Sequence, residues 1–237
     1  MTLLSICQNV ADEIGATRPT AVYGSTDQTA KRLFQACKKE CEFLVRRYAW
    51  SALRREATIT TVAAQADYAL ESDFHRMQSE TMWDATEYWP MRGSVTPQQW
   101  QMIKRSTIAR PVNRRRFRLM WDGTTKTRRI FIDPTPSSVA TLYYEYVSNQ
   151  FCQATGGGVL RSAWAADTDV AVLDENLIEQ GVKYRYLQAR GLPYADQEMD
   201  YRKALIRAIE NDRPAMNVDM GAQPSALFQL PEGNFTP

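Results

Sequence analysis

The first fifty residues alternate apolar and polar positions with the period of an α-helix. Over residues 2–15, apolar side chains recur at intervals of three and four, behind a threonine and before a glycine. A longer stripe with the same spacing covers residues 30–48, and Ser25 with Gln28 forms a capping box in front of it. The pattern therefore predicts two helices.

From Glu56 the period changes to two and β-branched residues dominate, which indicates strands. Asp122-Gly123 lies between two alternating runs and predicts a hairpin turn. Residues 141–148 read as a further strand, and the Thr-Pro start of residues 96–105 reads as a short helix. We therefore expect residues 55–150 to be mostly β.

Three consecutive glycines make residues 151–171 a predicted surface loop. Asp174 then caps an apolar stripe that Gly191 interrupts, and a second stripe follows, so the pattern predicts an αα-hairpin. Residues 214–237 contain four prolines among scattered apolar residues and cannot close a core of their own. We expect them to form an extended C-terminal tail.

Each terminal helical pair is too small to be stable alone, so the economical solution packs all four helices together. The predicted fold class is α+β: a four-helix body with an inserted antiparallel β subdomain and an extended tail. The body comprises 1–54 and 172–213, and the insertion comprises 55–150.

The composition is that of a globular protein, with 237 residues, 44% of them hydrophobic and 24% charged. The acidic start of the chain is unlike an export signal, and no apolar run reaches the roughly 18 residues of a membrane span. We therefore expect free thiols in a reducing compartment and no membrane association. Cys37 and Cys41 share a helix face that suits zinc, but further ligands are not clustered, so buried core cysteines are favoured.

Catalytic groups are sparse. His75 is the single histidine, and no serine or cysteine is spaced to form a triad with it. The carboxylate pairs Glu71/Asp73 and Asp167/Asp169 leave glycoside hydrolysis open, although such pairs are common. The sequence favours a protein that is not an enzyme and that has no catalytic residue, cofactor or metal.

Charge is concentrated in residues 104–129, which hold ten basic residues and one acidic residue. Strand alternation places Phe117, Leu119 and Trp121 on one face of the predicted hairpin. The other face carries four arginines: Arg114, Arg116, Arg118 and Arg129. This face suits DNA phosphates, or it meets acidic surfaces of neighbouring subunits or solvent; the second interpretation is favoured.

Two further groups of residues suit interfaces. Trp83, Trp89 and Trp100 are expected either to pack in the β subdomain or to anchor an interface. The tail either lies in a partner's groove or is a disordered end. Its large apolar residues are Met216, Val218, Met220, Leu227, Phe228, Leu230 and Phe235.

Four short stretches carry a family resemblance: LESDFHRM (70–77), TMWD (81–84), YWPMRG (88–93) and TPQQW (96–100). The segment that contains them resembles one in the head-to-tail adaptor proteins of tailed bacteriophages, also called connector, head-completion or tail tubular A-type proteins. The order of helices, β insertion, helices and pendant tail is also similar.

The resemblance implies a structural virion protein without catalytic residues, located in the tail or neck and assembled in the bacterial host cytoplasm. Such proteins form a ring, usually twelvefold, between the portal protein and the tail nozzle protein, where they extend the DNA channel. Their C-terminal extension commonly engages the portal, which would give the tail a function. A non-specific nucleic-acid-binding module and a nozzle or hydrolytic tail component remain the alternatives.

Overall fold

A computed structural model of the chain describes residues 1–105, 115–124 and 126–213. Within these residues the helices are α1 (Leu3–Glu13), α2 (Gln28–Arg47), α3 (Pro97–Arg105), α4 (Glu175–Arg190) and α5 (Ala195–Asp212), with a 3-10 turn at Ser51–Leu53. The longer strands are β1 (Arg54–Thr60), β6 (Arg116–Asp122), β7 (Thr127–Asp133) and β8 (Thr141–Ser148). The shorter strands are β2 (Asp67–Ala69), β3 (Phe74–Met77), β4 (Trp83–Asp84), β5 (Trp89–Pro90), β9 (Cys152–Gln153), β10 (Leu160–Arg161) and β11 (Val170–Ala171).

Helices α1, α2, α4 and α5 share one hydrophobic core, as the apolar stripes predicted. Leu3 and Ile6 of α1, Leu33 of α2 and Ile178 of α4 are fully buried in it, and Leu205 of α5 completes it. Burying side chains of this size contributes about 1.5–3 kcal/mol each relative to exposure. The four helices are therefore held together by a common core, and the α+β fold class is confirmed.

The ends of the helices follow from capping chemistry. The Thr2 hydroxyl accepts a hydrogen bond from the Ser5 amide, and Asp174 accepts from the amides of the first turn of α4. Gly191 ends α4 with φ +69°, a left-handed conformation that glycine adopts without strain. The predicted capping box of α2 is wrong, because Asp27 rather than Ser25 caps that helix by accepting from the Ala30 amide at 2.8 Å.

Strands β1 to β8 form two antiparallel sheets around a second core. Strand β8 pairs with β1 along its whole length, and β3 and β4 pair with its opposite edge. The other sheet has the order β2-β7-β6. The buried residues between the sheets are Ala57, Ile59, Tyr68, Met82, Met91, Phe117, Ile130, Ile132, Leu142, Tyr144 and Tyr146.

Two separate hydrophobic cores support our proposal that the β-rich segment is a subdomain inserted into the helical body. Strand β8 joins the two cores, since Leu142 and Tyr144 lie in the β core while Val147 lies in the helical core. The predicted hairpin is confirmed: β6 and β7 pair from Arg116/Asp133 to Asp122/Thr127.

Residues 151–171, expected as a surface loop, contain the small sheet β10-β9-β11. Phe151 and Trp164 are buried and pack edge to face in the helical core. The Asp169 carbonyl accepts a hydrogen bond from the Leu3 amide, and the Asp169 carboxylate accepts from the amides of Ala165 and Ala166. The segment therefore fixes the start of α1 in place.

Candidate functional site

The arginine-bearing hairpin has one buried side and one outer side. Phe117 pairs with Ile132, and Leu119 pairs with Ile130, so these four side chains point toward the β core. Alternation then sends the neighbouring residues outward. The expectation that Phe117 and Leu119 share one face of this hairpin is met.

The outer side carries three of the four predicted arginines. Arg116 and Arg118 lie on β6, and Arg129 lies on β7 across from Met120. All three are half-buried. The fourth, Arg114, lies outside the described residues, as does any contact that it makes.

Acidic groups on the same side neutralise part of this charge. Arg129 Nε lies 2.8 Å from Asp67 Oδ2, on the adjacent strand β2. Asp133 is the cross-strand neighbour of Arg116. Among the residues that the structure describes, Arg116 and Arg118 form no salt bridge.

Apolar side chains separate these charges. Met120 and Phe131 occupy the outer side beside the arginines and are half-buried. The outer side, which we call the arginine face, is defined by Arg116, Arg118, Met120, Arg129 and Phe131. Mixed arginine and apolar character is typical of the central part of protein interfaces.

The free edge of β6 is covered by residues 92–95. The Phe117 amide donates to the Arg92 carbonyl at 3.2 Å, and the Phe117 carbonyl accepts from the Val95 amide at 3.2 Å. A Cβ atom at Gly93 would lie 2.5 Å from the Phe117 carbonyl oxygen, so only glycine permits this close approach. A partner that adds a strand at this edge would have to displace residues 92–95 beside Phe117.

An ion pair missed by the sequence reasoning anchors the hairpin. Arg115 Nη1 lies 2.6 Å from Asp84 Oδ2, with the side chains only 11% and 2% exposed. The other Asp84 oxygen accepts from the amides of Thr86 and Glu87. In the sequence, nothing distinguishes Arg115 from the other basic residues of 104–129. Only the fold shows that β4, which carries Asp84, lies beside it.

The predicted tryptophans fall into different environments. Trp100 is 2% exposed on α3, with Lys104 Nζ 5.2 Å from its ring centroid. Trp83 is half-buried on β4, whereas Trp89 on β5 is 49% exposed. Trp100 therefore packs inside the protein, and Trp89 has the exposure that an interface residue needs.

Trp121 departs from expectation. It follows the core-facing alternation of Phe117 and Leu119 but is 65% exposed, because the β core ends before the hairpin tip. It lines a cleft of about 770 Å³ with His75, Arg76 and Arg128. Burial and the nearby arginines lower the pKa of His75, so the imidazole is held neutral as a structural group.

Three carboxylates of the predicted pairs take part in the fold. Asp73 accepts hydrogen bonds from the hydroxyls of Tyr146 and Ser148, and Asp167 accepts from the amides of Val22 and Tyr23. Asp169 accepts from the amides of Ala165 and Ala166, as described above, whereas Glu71 is exposed.

The cysteines are core residues. All four are buried and free, and the described part of the chain contains no cluster of three or more potential ligands. Hydrogen bonding with Cys41 and Cys7, together with burial, raises the pKa of the Cys37 thiol well above its usual value. Cys37 is therefore an unreactive core residue.

A buried carboxylate joins three helices of the body. Glu40 on α2 is fully buried, hydrogen-bonded to the Tyr201 hydroxyl of α5 and 2.5 Å from Arg185 Nε of α4. Burial raises the pKa of Glu40, although both partners oppose the shift. Gly181 leaves the space that this side chain occupies. In the sequence, Glu40 reads as an exposed charged residue of α2, so its buried role could not be predicted.

The tail residues predicted to contact the portal, Met216 to Phe235, lie outside the described residues. None of the helices within the described ranges is sufficiently long and apolar to cross a bilayer.

The structure combines two hydrophobic cores with an arginine face on the β subdomain. In the comparison with protein families, the model of the SU10 adaptor protein family matches residues 1–224. The chain therefore belongs to the SU10 adaptor protein family and is a phage adaptor-type protein. No curated protein matches it.

The family resemblance noted in the sequence is thus confirmed at the level of a phage adaptor. The resembling segment forms β3, β4, β5 and the first turn of α3. Assignment to the tail tubular A or head-completion group stays a proposal.

Proposed function

We propose that this protein is a head-to-tail adaptor that forms a ring, twelvefold as in the resembling proteins, between the portal protein and the tail nozzle protein. The ring extends the DNA channel and forms part of the virion neck. The observation that carries the proposal is the family match over residues 1–224. An adaptor works by binding, so no enzymatic activity is required of it.

A closed ring of identical subunits needs two different complementary surfaces on each copy. The arginine face is suited to be one of them. It offers Arg116 and Arg118 beside the apolar Phe131, and acidic residues elsewhere in the chain offer the complement. Asp67 and Asp133 on the same side weaken its attraction for phosphates, which favours a protein neighbour over DNA.

The tail is the proposed portal-binding segment. Its seven large apolar residues, Met216, Val218, Met220, Leu227, Phe228, Leu230 and Phe235, would be buried on the portal. Deletion of residues 214–237 should leave a folded body that no longer binds the portal. Unchanged portal affinity after deletion would show that this assignment is wrong.

The deciding experiment is light scattering of the protein alone and mixed with the portal protein of the same genome. Stoichiometric joining of the portal, as a preformed ring or from monomers, is the expected result. A monomer that ignores the portal would contradict the adaptor role and direct attention to the nozzle or nucleic-acid alternatives.

The role of the arginine face is tested by replacing its arginines with glutamine. The variant carries Arg114→Gln, Arg116→Gln, Arg118→Gln and Arg129→Gln. The control removes the same charge from exposed positions of the helical body, with Arg46→Gln, Lys203→Gln, Arg207→Gln and Arg213→Gln. We expect weakened ring formation in the first variant only, with duplex DNA binding and its salt slope unchanged. A reduced salt slope with normal rings would assign the face to DNA.

A further inference from the structure

An exposed stripe of polar, basic and aromatic residues runs the length of α2. Apart from the neighbours Lys31 and Arg32, its members recur at intervals of three and four and so share one side of the helix. They are Gln28, Lys31, Arg32, Gln35, Lys39, Phe43 and Arg47. We call this surface, with the walls described next, the α2 trough.

Two neighbouring helices form the walls of the trough. Along the first half of α2, the end of α4 encloses a groove of about 520 Å³, where the small side chains of Ala36 and Ala189 leave space between the helices. Along the second half, α5 encloses about 400 Å³ with Leu205 and the 57% exposed Ile206. The trough is therefore concave and partly apolar.

Arg185 stands where the two halves meet. Its guanidinium lies 5.2 Å from the ring centroids of both Phe43 and Tyr184, and its Nε is bound to Glu40. Arg185 borders the first groove, whereas Phe43 and Tyr184 border the second. The two grooves therefore adjoin each other along α2, with Arg185 between them.

The trough is strongly basic. Lys31, Arg32 and Lys39 line the first groove, whose lining includes no carboxylate among the residues that the structure describes. These three cations form no salt bridge with any described residue. In the second groove the one lining carboxylate, Glu198, is already paired with Arg202 at 2.6 Å. An occupant should therefore be apolar and acidic.

The chain itself contains a segment with this chemistry. Residues 214–237 hold seven large apolar residues, and Asp219 and Glu232 are the only charged side chains among them. Residues 214–237 contain no lysine or arginine that would be repelled by the basic trough. Among the described residues that line the trough, no carboxylate is left unpaired to repel Asp219 or Glu232. Charge complementarity therefore favours this segment over DNA, which has no apolar surface to place in a groove between helices.

The segment also begins at a suitable place. Asp212, the last residue of α5, accepts a hydrogen bond from the Ser51 amide at 2.9 Å, and Ser51 follows closely after the end of α2. The 20 residues of α2 span about 30 Å, whereas 24 extended residues reach about 80 Å. Residues 214–237 are therefore long enough to run back along α2.

We propose that residues 214–237 bind in the α2 trough of the same chain until the portal is present. The inference rests on the proposed function in one respect, that the portal is the competing partner. In the free protein the trough shields apolar side chains that would otherwise expose an aggregation-prone surface. When the portal is present, residues 214–237 leave the trough and bind the portal, which holds them more tightly.

A zero-length carbodiimide tests the contact in the full chain, because it joins a lysine amine to a carboxylate only when they touch. We expect cross-links from Asp219 and Glu232 to Lys31 and Lys39. Lys203 is the matched control, since it is 61% exposed on α5 and closer in sequence to the segment. Links to Lys203 without links to Lys31 or Lys39 would overturn the proposal.

Mixing heavy-isotope and unlabelled protein identifies the donor chain. Links within one chain are expected. Links found only between chains would overturn the same-chain proposal and assign the trough to a second copy.

Charge reversal supplies the second measurement. Arg32→Glu with Lys39→Glu should raise the hydrogen-exchange rate of residues 214–237 by about tenfold, because bound amides are protected. Lys203→Glu with Arg207→Glu makes the same charge change on the exposed side of α5 and should leave the rate unchanged. Equal exchange in both variants would contradict the proposal. If the first pair prevents folding, glutamine replacements at the same positions repeat the test.

Portal binding separates this inference from the proposed function. The Arg32→Glu/Lys39→Glu variant should bind the portal at least as tightly as the wild type, because the trough no longer competes with the portal for residues 214–237. A reduced portal affinity of this variant would contradict the proposed competition between the trough and the portal. Cross-links in the trough together with a wild-type protein that ignores the portal would contradict the adaptor role and leave the trough assignment intact.

Discussion

Gly181 is the position where a single methyl group should be most disruptive. It lies inside α4, where it faces the fully buried Glu40 of α2. A Cβ atom at this position would lie 2.6 Å from both Cγ and Oε1 of Glu40. Glu40 cannot move away freely, since Arg185 and Tyr201 hold its carboxylate. We therefore predict that Gly181→Ala destabilises the helical body.

The magnitude follows from three opposing effects. Alanine is favoured over glycine inside a helix by about 1 kcal/mol. Overpacking a filled core costs about 1–3 kcal/mol. Separating a buried ion pair costs up to about 3–5 kcal/mol, and a displaced Glu40 loses part of that stabilisation. The expected net loss in the free energy of unfolding is about 2–4 kcal/mol.

Urea-induced unfolding and thermal melting measure this loss. For a protein of this size, the melting temperature should fall by roughly 5–15 °C. Gly123→Ala is the control, because a Cβ atom there meets no atom within 4 Å and should change stability by less than about 0.5 kcal/mol.

A double-mutant cycle identifies the cause. In a Glu40→Ala background the obstructing side chain is gone, so Gly181→Ala should become neutral or stabilising by up to about 1 kcal/mol. A Gly181→Ala protein that unfolds at the wild-type urea concentration would refute the reasoning. An equal loss in both backgrounds would show that Glu40 is not the obstacle.

Two further predictions concern the buried carboxylates. Burial raises the folded-state pKa of Glu40 above its ordinary 4.5, so its contribution to stability is present below that pH and is lost as pH rises through the folded value. The stability difference between wild type and Glu40→Gln should therefore decrease as pH rises above 4.5, and a difference in urea unfolding that does not change with pH would contradict this. Asp84→Ala should lower the free energy of unfolding by about 3–5 kcal/mol, because it leaves Arg115 buried and unpaired. Asp67→Ala should lower it by less than about 1 kcal/mol, because Arg129 is more exposed. Equal melting temperatures of the two variants would contradict this ranking.

Local patterns in the sequence were sufficient to predict the longer elements of the fold, although not the short strands of residues 151–171. The periodicity of residues 30–48 and of residues 141–148 reflects a face that packs on a core, so α2 and β8 were predicted close to their observed bounds. The same holds for the Asp174 cap and the Gly191 stop, because each acts within one helical turn. Signals of this kind require no knowledge of tertiary neighbours.

Contacts that depend on topology could not be predicted in this way. Asp84 and Arg115 are separated by 31 positions, and Glu40 and Arg185 by 145, so only the finished fold shows that either pair exists. The alternation that placed Trp121 on the face of Phe117 and Leu119 was locally correct but did not reveal where the β core ends. The cap of α2 was misplaced for a smaller reason, since Ser25 and Asp27 are both good caps two residues apart.

The arginine face illustrates why position is easier to predict than partner. Alternation placed Arg116, Arg118 and Arg129 on one side of the hairpin, and the structure has them there. The sequence did not show that Asp67 comes to that side, because β2 pairs with β7 from a distance of about sixty residues. A run of arginines binds phosphates when it stands alone, but with interspersed carboxylates and apolar side chains it is better matched to protein. The neighbours that the fold supplies, rather than the arginine count, therefore decide which partner the face can bind.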